Sequence, residues 1–202
     1  MRQRKLYSYV VQHDNGHAPN PYFGVCTLCR CKFDEHRKRR NIVELADEDD
    51  WIVGTGGADE RRSAGHGELV YAMRVDEKLT RGEYYADPRF ESKRPSARGS
   101  YAKKRGDNLK PADKFENRKQ FALISKHFFY FGKNAIPIPK SKFHHLEKKG
   151  PAFRKDFDEA YIKRFVGWLQ KKCAPGKHGA PWYRVDESKG SKRCKSSCCE
   201  SV

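Results

Sequence analysis

The chain has 202 residues, enough for one domain with a sizeable core and irregular extensions at either end. Lys and Arg total 43 against 26 Asp and Glu, a formal net charge of +17, and aromatic residues make up 12% of the chain. That surplus, with aromatics available to stack on bases, points to a polyanionic partner such as DNA or RNA, or is only a solvated basic surface.

No apolar run reaches the roughly 18 residues that cross a membrane, and the start Met-Arg-Gln-Arg-Lys-Leu-Tyr carries no apolar signal core, so a cytoplasmic protein without membrane contact is expected. Seven cysteines, an odd number without a secretion signal, read as reduced thiols rather than a disulfide framework.

Residues 5–12 predict a strand with apolar side chains on both faces, hence one inside a sheet. Residues 13–21 gather turn formers and two histidines, closed by Tyr22-Phe23-Gly24. A loop holding His, Asp, Asn and two aromatics reads as the wall of a site, or as a polar loop whose rings anchor in the core. Residues 25–33 predict a strand carrying Cys26, Cys29 and Cys31, followed by a basic run to Arg40. Cys-x-x-Cys could start a zinc site, but no second pair sits at a usual spacing, so no metal is expected and the thiols read as small buried hydrophobes.

The densest β-forming sequence lies between Asp49 and Val75: an acidic turn, the strand Trp51-Ile52-Val53, a Gly-rich loop from Gly54 to Gly57, and a second strand from Leu69 to Val75. The two strands read as a hairpin-like pair whose long connection carries Arg61, Arg62 and His66. Residues 79–90 predict a short helix capped by Thr80 and stopped at Asp87-Pro88. Residues 91–119 are polar and basic and read as an exposed loop, with a turn at Gly106-Asp107-Asn108, that either grips phosphates or is a solvated insertion.

Residues 121–132 predict a further strand, whose four consecutive aromatics from Phe128 to Phe131 cannot all face one way. Ile136-Pro137-Ile138-Pro139 is too proline-rich for a central strand. Residues 156–172 predict one long helix, with Phe157, Tyr161, Phe165, Trp168 and Leu169 on a stripe that packs on the sheet. Residues 176–183 read as a turn and a short extended segment, and 186–202 as a disordered Cys/Ser/Lys tail after a single domain spanning 1–185.

No run carries a recognised catalytic or cofactor signature. Gly54-Thr55-Gly56-Gly57 lacks the third glycine of a dinucleotide fingerprint and the Gly-Lys-Ser/Thr of a phosphate loop, so no cofactor is expected. The best acid/base constellation is His13 or His17 with Asp14, together with Asp107 and Asn108.

The runs 6–11, Ala18 to Leu28, Asp50 to Gly56, Leu69 to Val75 with Tyr84 and Asp87-Pro88-Arg89-Phe90, and the later Gly106-Asp107-Asn108, Leu123-Ile124-Ser125 and Trp168-Leu169 come in consistent order. Together they resemble the second of the numbered nucleotide modification associated domain families. The resemblance implies association with base-modification systems of bacteria and their phages, and fixes no reaction. The order of an Asp-Trp-Ile-Val-Gly strand, a Leu-Val-Tyr-Ala-Met strand and a Tyr-x-x-Asp-Pro element is more distantly similar to PUA-class domains, including the EVE group, which read modified bases in aromatic pockets. That likeness implies an α+β fold built on a PUA-like open β-barrel of mixed strands with the C-terminal amphipathic helix packed on it. It makes Tyr22, Phe23 and Trp51 candidate stacking walls, Asn20 and Asp14 candidate edge readers, and Arg61 and Arg62 candidate phosphate contacts. The expected partner is a nucleic acid, DNA rather than RNA, or a modified nucleotide. The rivals are an enzyme that installs or removes a base modification through His13, Asp14 or Asp107, and a basic interaction protein without base readout.

Overall fold

The computed structural model describes residues 2–29, 41–94 and 121–183. The strand expected at 5–12 is β1 (Leu6–Val11), buried along its whole length. It is not an edge: it pairs in parallel with β3 (Trp51–Gly56) on one side and antiparallel with the two-residue β9 (Phe153–Arg154) on the other. The expected pair of β-rich runs is β3 and β4 (Glu68–Arg74), antiparallel. Beyond β4 come β7 (Phe128–Tyr130) and β10 (Gly176–Lys177), and the short β8 (Ile136–Pro137) also pairs β4, giving a seven-stranded mixed sheet.

The glycines after Trp51-Ile52-Val53 do not form the expected loop. β3 runs on through Gly56 because neighbours sit where side chains would be. A Cβ on Gly54 would lie 2.3 Å from the Tyr71 ring, and one on Gly56 1.8 Å from the Gly65 carbonyl oxygen. The missing side chain at Gly54 lets Tyr71 reach across the strand, where its hydroxyl meets that of Tyr9 at 2.8 Å. A register shift between Gly54 and Thr55 marks a bulge at the same place.

The expected single strand at 121–132 is in fact two strands in two sheets. β6 (Phe121–Ser125) belongs to a three-stranded antiparallel sheet with β2 (Cys26–Cys29) and β5 (Glu77–Thr80), in the order β2-β6-β5. The chain crosses to β7 through Lys126 and His127, whose backbone N–H groups both donate to the Asp76 carboxylate, at 2.6 and 3.1 Å. Alternation then sends Phe128 and Tyr130 to one face of the large sheet and Phe129 and Phe131 to the other.

That alternation builds the layers. One face of the large sheet packs Tyr7, Tyr9, Ile52, Tyr71 and Tyr130 against Cys26, Leu28 and Leu123 of the small sheet and against α1 (Ile42–Leu45). The other face packs Leu6, Trp51, Val53 and Phe129 against Phe143 of α3 (Lys140–Phe143) and against α4 (Glu159–Lys172). α4 is the long helix expected at 156–172. It starts later because Asp158 is its cap, accepting from the Tyr161 N–H at 2.6 Å, and it buries Tyr161, Ile162, Phe165 and Leu169.

The outer face of the small sheet is covered by α2 (Arg81–Ala86) and a 3-10 helix at Pro88–Lys93. α2 has the expected Thr80 cap, completed into a capping box by Glu83. Residues 91–93 are not the exposed loop their composition suggested: they continue the 3-10 helix, which Arg94 ends, and Lys93 is buried. The described residues therefore form an α+β fold with a mixed sheet and no closed barrel. The remainder of the 91–119 segment with Asp107 and Asn108, the residues from Cys31 to Arg40 and the 186–202 tail lie outside the described residues.

Candidate functional site

Asp14 leaves the end of β1 and points inward. Its side chain is 1% exposed. One carboxylate oxygen accepts from the Tyr130 hydroxyl at 2.5 Å and the other from the Trp182 backbone N–H at 3.1 Å. Its own N–H donates to the Arg62 carbonyl at 2.9 Å, and its carbonyl accepts from the Tyr183 N–H at 3.2 Å. One residue thus ties the end of β1, the β3–β4 connection, β7 and the 181–183 segment together. Trp182 closes the ring by donating its indole N–H to the Glu60 carbonyl at 2.6 Å.

Burial pushes the Asp14 carboxyl up from 3.8 to about 6, against the pull of the two hydrogen bonds. Burial and the neighbouring Asp14 charge hold the Tyr130 phenol in its neutral form, so it is the donor. His13 sits edge-on to Tyr183, its Nδ1 3.2 Å from the Tyr183 hydroxyl. Burial, and then the Arg62 charge, lower its proton affinity.

Beyond this cluster, Asn20 and Thr27 exchange backbone hydrogen bonds at 2.9 and 3.0 Å and close a tight loop. At its tip Phe23 and Gly24 both have positive φ, +61° and +78°. The loop base is held by Lys93, whose buried ammonium donates to the Asn20 carbonyl, Asn20 Oδ1, the Val25 carbonyl and Thr27 Oγ1, between 2.9 and 3.3 Å. Phe23, 49% exposed, is the one exposed large hydrophobic side chain among the described residues. It borders an open depression of about 460 Å³ lined also by Tyr22, Phe128, Lys126 and Lys177. The Lys177 ammonium lies 5.7 Å from the centre of the Tyr22 ring. Gly16 sits between Tyr22 and Pro181, so the depression and the Asp14 cluster share a wall. A second depression of about 480 Å³ is lined by Glu48, Asp49 and Asp76 with Arg74, Lys126 and His127; its three carboxylates make it the poorer host for a phosphate.

The structure brings His13, Asp14 and Arg62 into one cluster and Tyr22 and Phe23 to one depression beside it. Trp51 lies elsewhere, 2% exposed in the core under α4, edge-on to His127. Asn20 is buried, and its Oδ1 accepts from Lys93 and from the Tyr22 N–H. Arg61 and Arg62 pair with Asp59 at the surface. The Cys26–Cys29 thiols fall in different packed clusters, as a three-residue offset along a strand requires, and no group of ligands able to hold a metal occurs among the described residues. Sequence reasoning missed Tyr130, Lys126, Lys177, Lys93 and Trp182 as parts of the site. Tyr130 stood within a noted aromatic block, but nothing local to 182 says that it meets residue 14.

Fold and site define an α+β domain whose small loop exposes an aromatic ring at a depression that two lysines also line, near a buried carboxylate. The chain belongs to the nucleotide modification associated domain 2 family, whose model matches residues 3–120 and 111–189. No curated protein and no solved structure matches it. Family membership places the protein in the setting of nucleotide modification, and no helix among the described residues is long and apolar enough to cross a membrane.

Proposed function

We propose that the depression at Tyr22 and Phe23 takes an unstacked base, modified or destined for modification, from a nucleic acid, DNA before RNA, or from a nucleotide. The observation that carries this reading is Phe23 itself. A phenylalanine at positive φ costs on the order of 1 kcal/mol in backbone energy, and a half-exposed ring returns little of it by burial. A side chain held against both preferences, and beside lysines, suits a stacking platform with charge for the phosphate. Tyr22 supplies the second ring, and the Asp14 cluster stiffens the wall behind it. The distant likeness to PUA-class base readers belongs to this proposal, as do the cytoplasmic setting and a single functional unit over 1–185.

Fluorescence titration with modified and unmodified oligonucleotides tests it. Phe23→Asn keeps a residue that tolerates positive φ and removes the ring. The expected result is stability within about 1 kcal/mol of wild type with affinity reduced about tenfold or more, since base–ring stacking is worth ~1–3 kcal/mol. Equal affinity of the wild type for every oligonucleotide would sink selective readout.

A second reading, catalysis, is favoured by Asp14, whose carboxyl titrates at about 6, near enough to neutrality for acid/base work if the 181–183 segment that covers it moves aside. Mass spectrometry of oligonucleotides after incubation separates the two, and an unaltered mass with candidate co-substrates supplied argues for binding alone.

A further inference from the structure

We infer that the segment joining α3 to α4 forms, with α4 itself, a second nucleic-acid surface, one that holds phosphates without reading bases. This inference rests on the nucleic-acid arm of the function proposed above and concerns the opposite face of the large sheet. Phe143 of α3 packs edge-on to Tyr161 and Phe165 of α4, with ring centres 5.7 Å apart in each case, so the two elements are fixed side by side. From 140 to 172 the chain holds ten Lys or Arg residues against four acids: Glu147 faces His66 at 3.8 Å, Asp158 caps α4, Glu159 pairs with Lys163 at 3.7 Å, and Asp156 is exposed.

Two cations from different elements meet at Tyr161. The Arg164 guanidinium lies 5.8 Å from its ring centre, and both Arg164 and Arg154 act on its hydroxyl. Arg154 is anchored through the His145 carbonyl at 3.3 Å. Lys142, Lys149, Lys155 and Arg164 are exposed, with Lys148 and Arg154 partly so. Among the described residues none of these six is in an ion pair, whereas Arg61, Arg62, Arg74, Lys78 and Arg89 all are.

Exposed cations this close along the chain and outside ion pairs repel each other, and a line of phosphates relieves that repulsion by releasing counterions. A membrane surface is the other polyanion of the right charge. It is disfavoured because interfacial binding wants apolar groups to insert, and the one exposed large hydrophobic side chain among the described residues, Phe23, is on another part of the molecule.

The test is a triple charge reversal, Lys142→Glu with Lys148→Glu and Lys149→Glu, and a milder triple change to Gln, each checked by circular dichroism and thermal melting. Binding of a labelled mixed-sequence duplex is followed by anisotropy across a salt series, with phosphatidylserine vesicles in a parallel arm. The expected result is a salt slope smaller by about 3 and an affinity reduced about tenfold or more, by the same factor for modified and unmodified duplexes, with the Gln variant in between. Unchanged slope and affinity in folded variants overturn the inference, and so does binding to vesicles that is lost on reversal while duplex binding persists. Wild-type protein that binds a mononucleotide but no duplex also overturns it while leaving the Phe23 depression standing; loss of discrimination in Phe23→Asn alone bears on the depression and not on this surface.

Discussion

Replacing Asp14 with Asn should change how stability depends on pH, and the structure gives the sign. In the unfolded chain this carboxyl releases its proton near 3.8; in the folded protein burial holds it to about 6. Between those values the folded state keeps a proton that the unfolded state has lost. The Asp14 contribution is therefore fully present below pH 3.8 and is lost as pH rises through about 6. Each factor of ten in proton affinity is worth about 1.4 kcal/mol, so the loss totals about 3 kcal/mol. Asn keeps the shape, an oxygen for the Trp182 N–H and an amide for the Tyr130 oxygen, and does not titrate. Urea unfolding of both proteins at a series of pH values gives the stability difference, in which all other titrations, His13 included, largely cancel. Wild type minus Asp14→Asn should fall by about 3 kcal/mol from about pH 3 to about pH 7. In a Tyr130→Phe background, where the charged form loses its hydrogen bond, the fall should move to higher pH. Parallel pH curves for wild type and Asp14→Asn would refute the reasoning.

Three further substitutions probe the frame. Lys93→Met strands the buried oxygens of Asn20 and Val25, and should cost about 3 kcal/mol in urea unfolding while loosening the Phe23 loop to limited proteolysis. Gly54→Ala drives a methyl into the Tyr71 ring and should cost about 2 kcal/mol, with loss of the Tyr9–Tyr71 hydroxyl contact visible as altered tyrosine fluorescence. Phe165→Ala empties the centre of the α4 contact and should cost about 4 kcal/mol by the same unfolding assay.

Much of the frame was legible in the residues because it is local. The Thr80 cap, the stop at Asp87-Pro88, the α4 stripe and the antiparallel β3–β4 pair all follow from spacing and from cap chemistry within a few positions. Where the reading failed, a distant partner had overruled local preference. Gly54 and Gly56 look like a loop until Tyr71 and the Gly65 carbonyl occupy their missing side chains. Residues 121–132 look like one strand until Asp76 turns the chain at Lys126. Lys93 looks solvated until four oxygens of the 20–27 loop surround its ammonium.

The candidate site divides the same way. Residues 13–24 read as a site wall or as a plain polar loop, and the structure places Tyr22 and Phe23 of that loop at one depression. Trp51 shows the limit: its sequence neighbours cannot say which face of the sheet it takes, and register sent it to the core under α4. What the sequence by itself determined was the locally patterned elements (β1, the β3–β4 pair, α2 and α4), the family and the basic charge. What only the tertiary structure decided was that Asp14 meets Tyr130 and Trp182, 116 and 168 positions away, because a carboxylate left without donors in that interior could not stay buried.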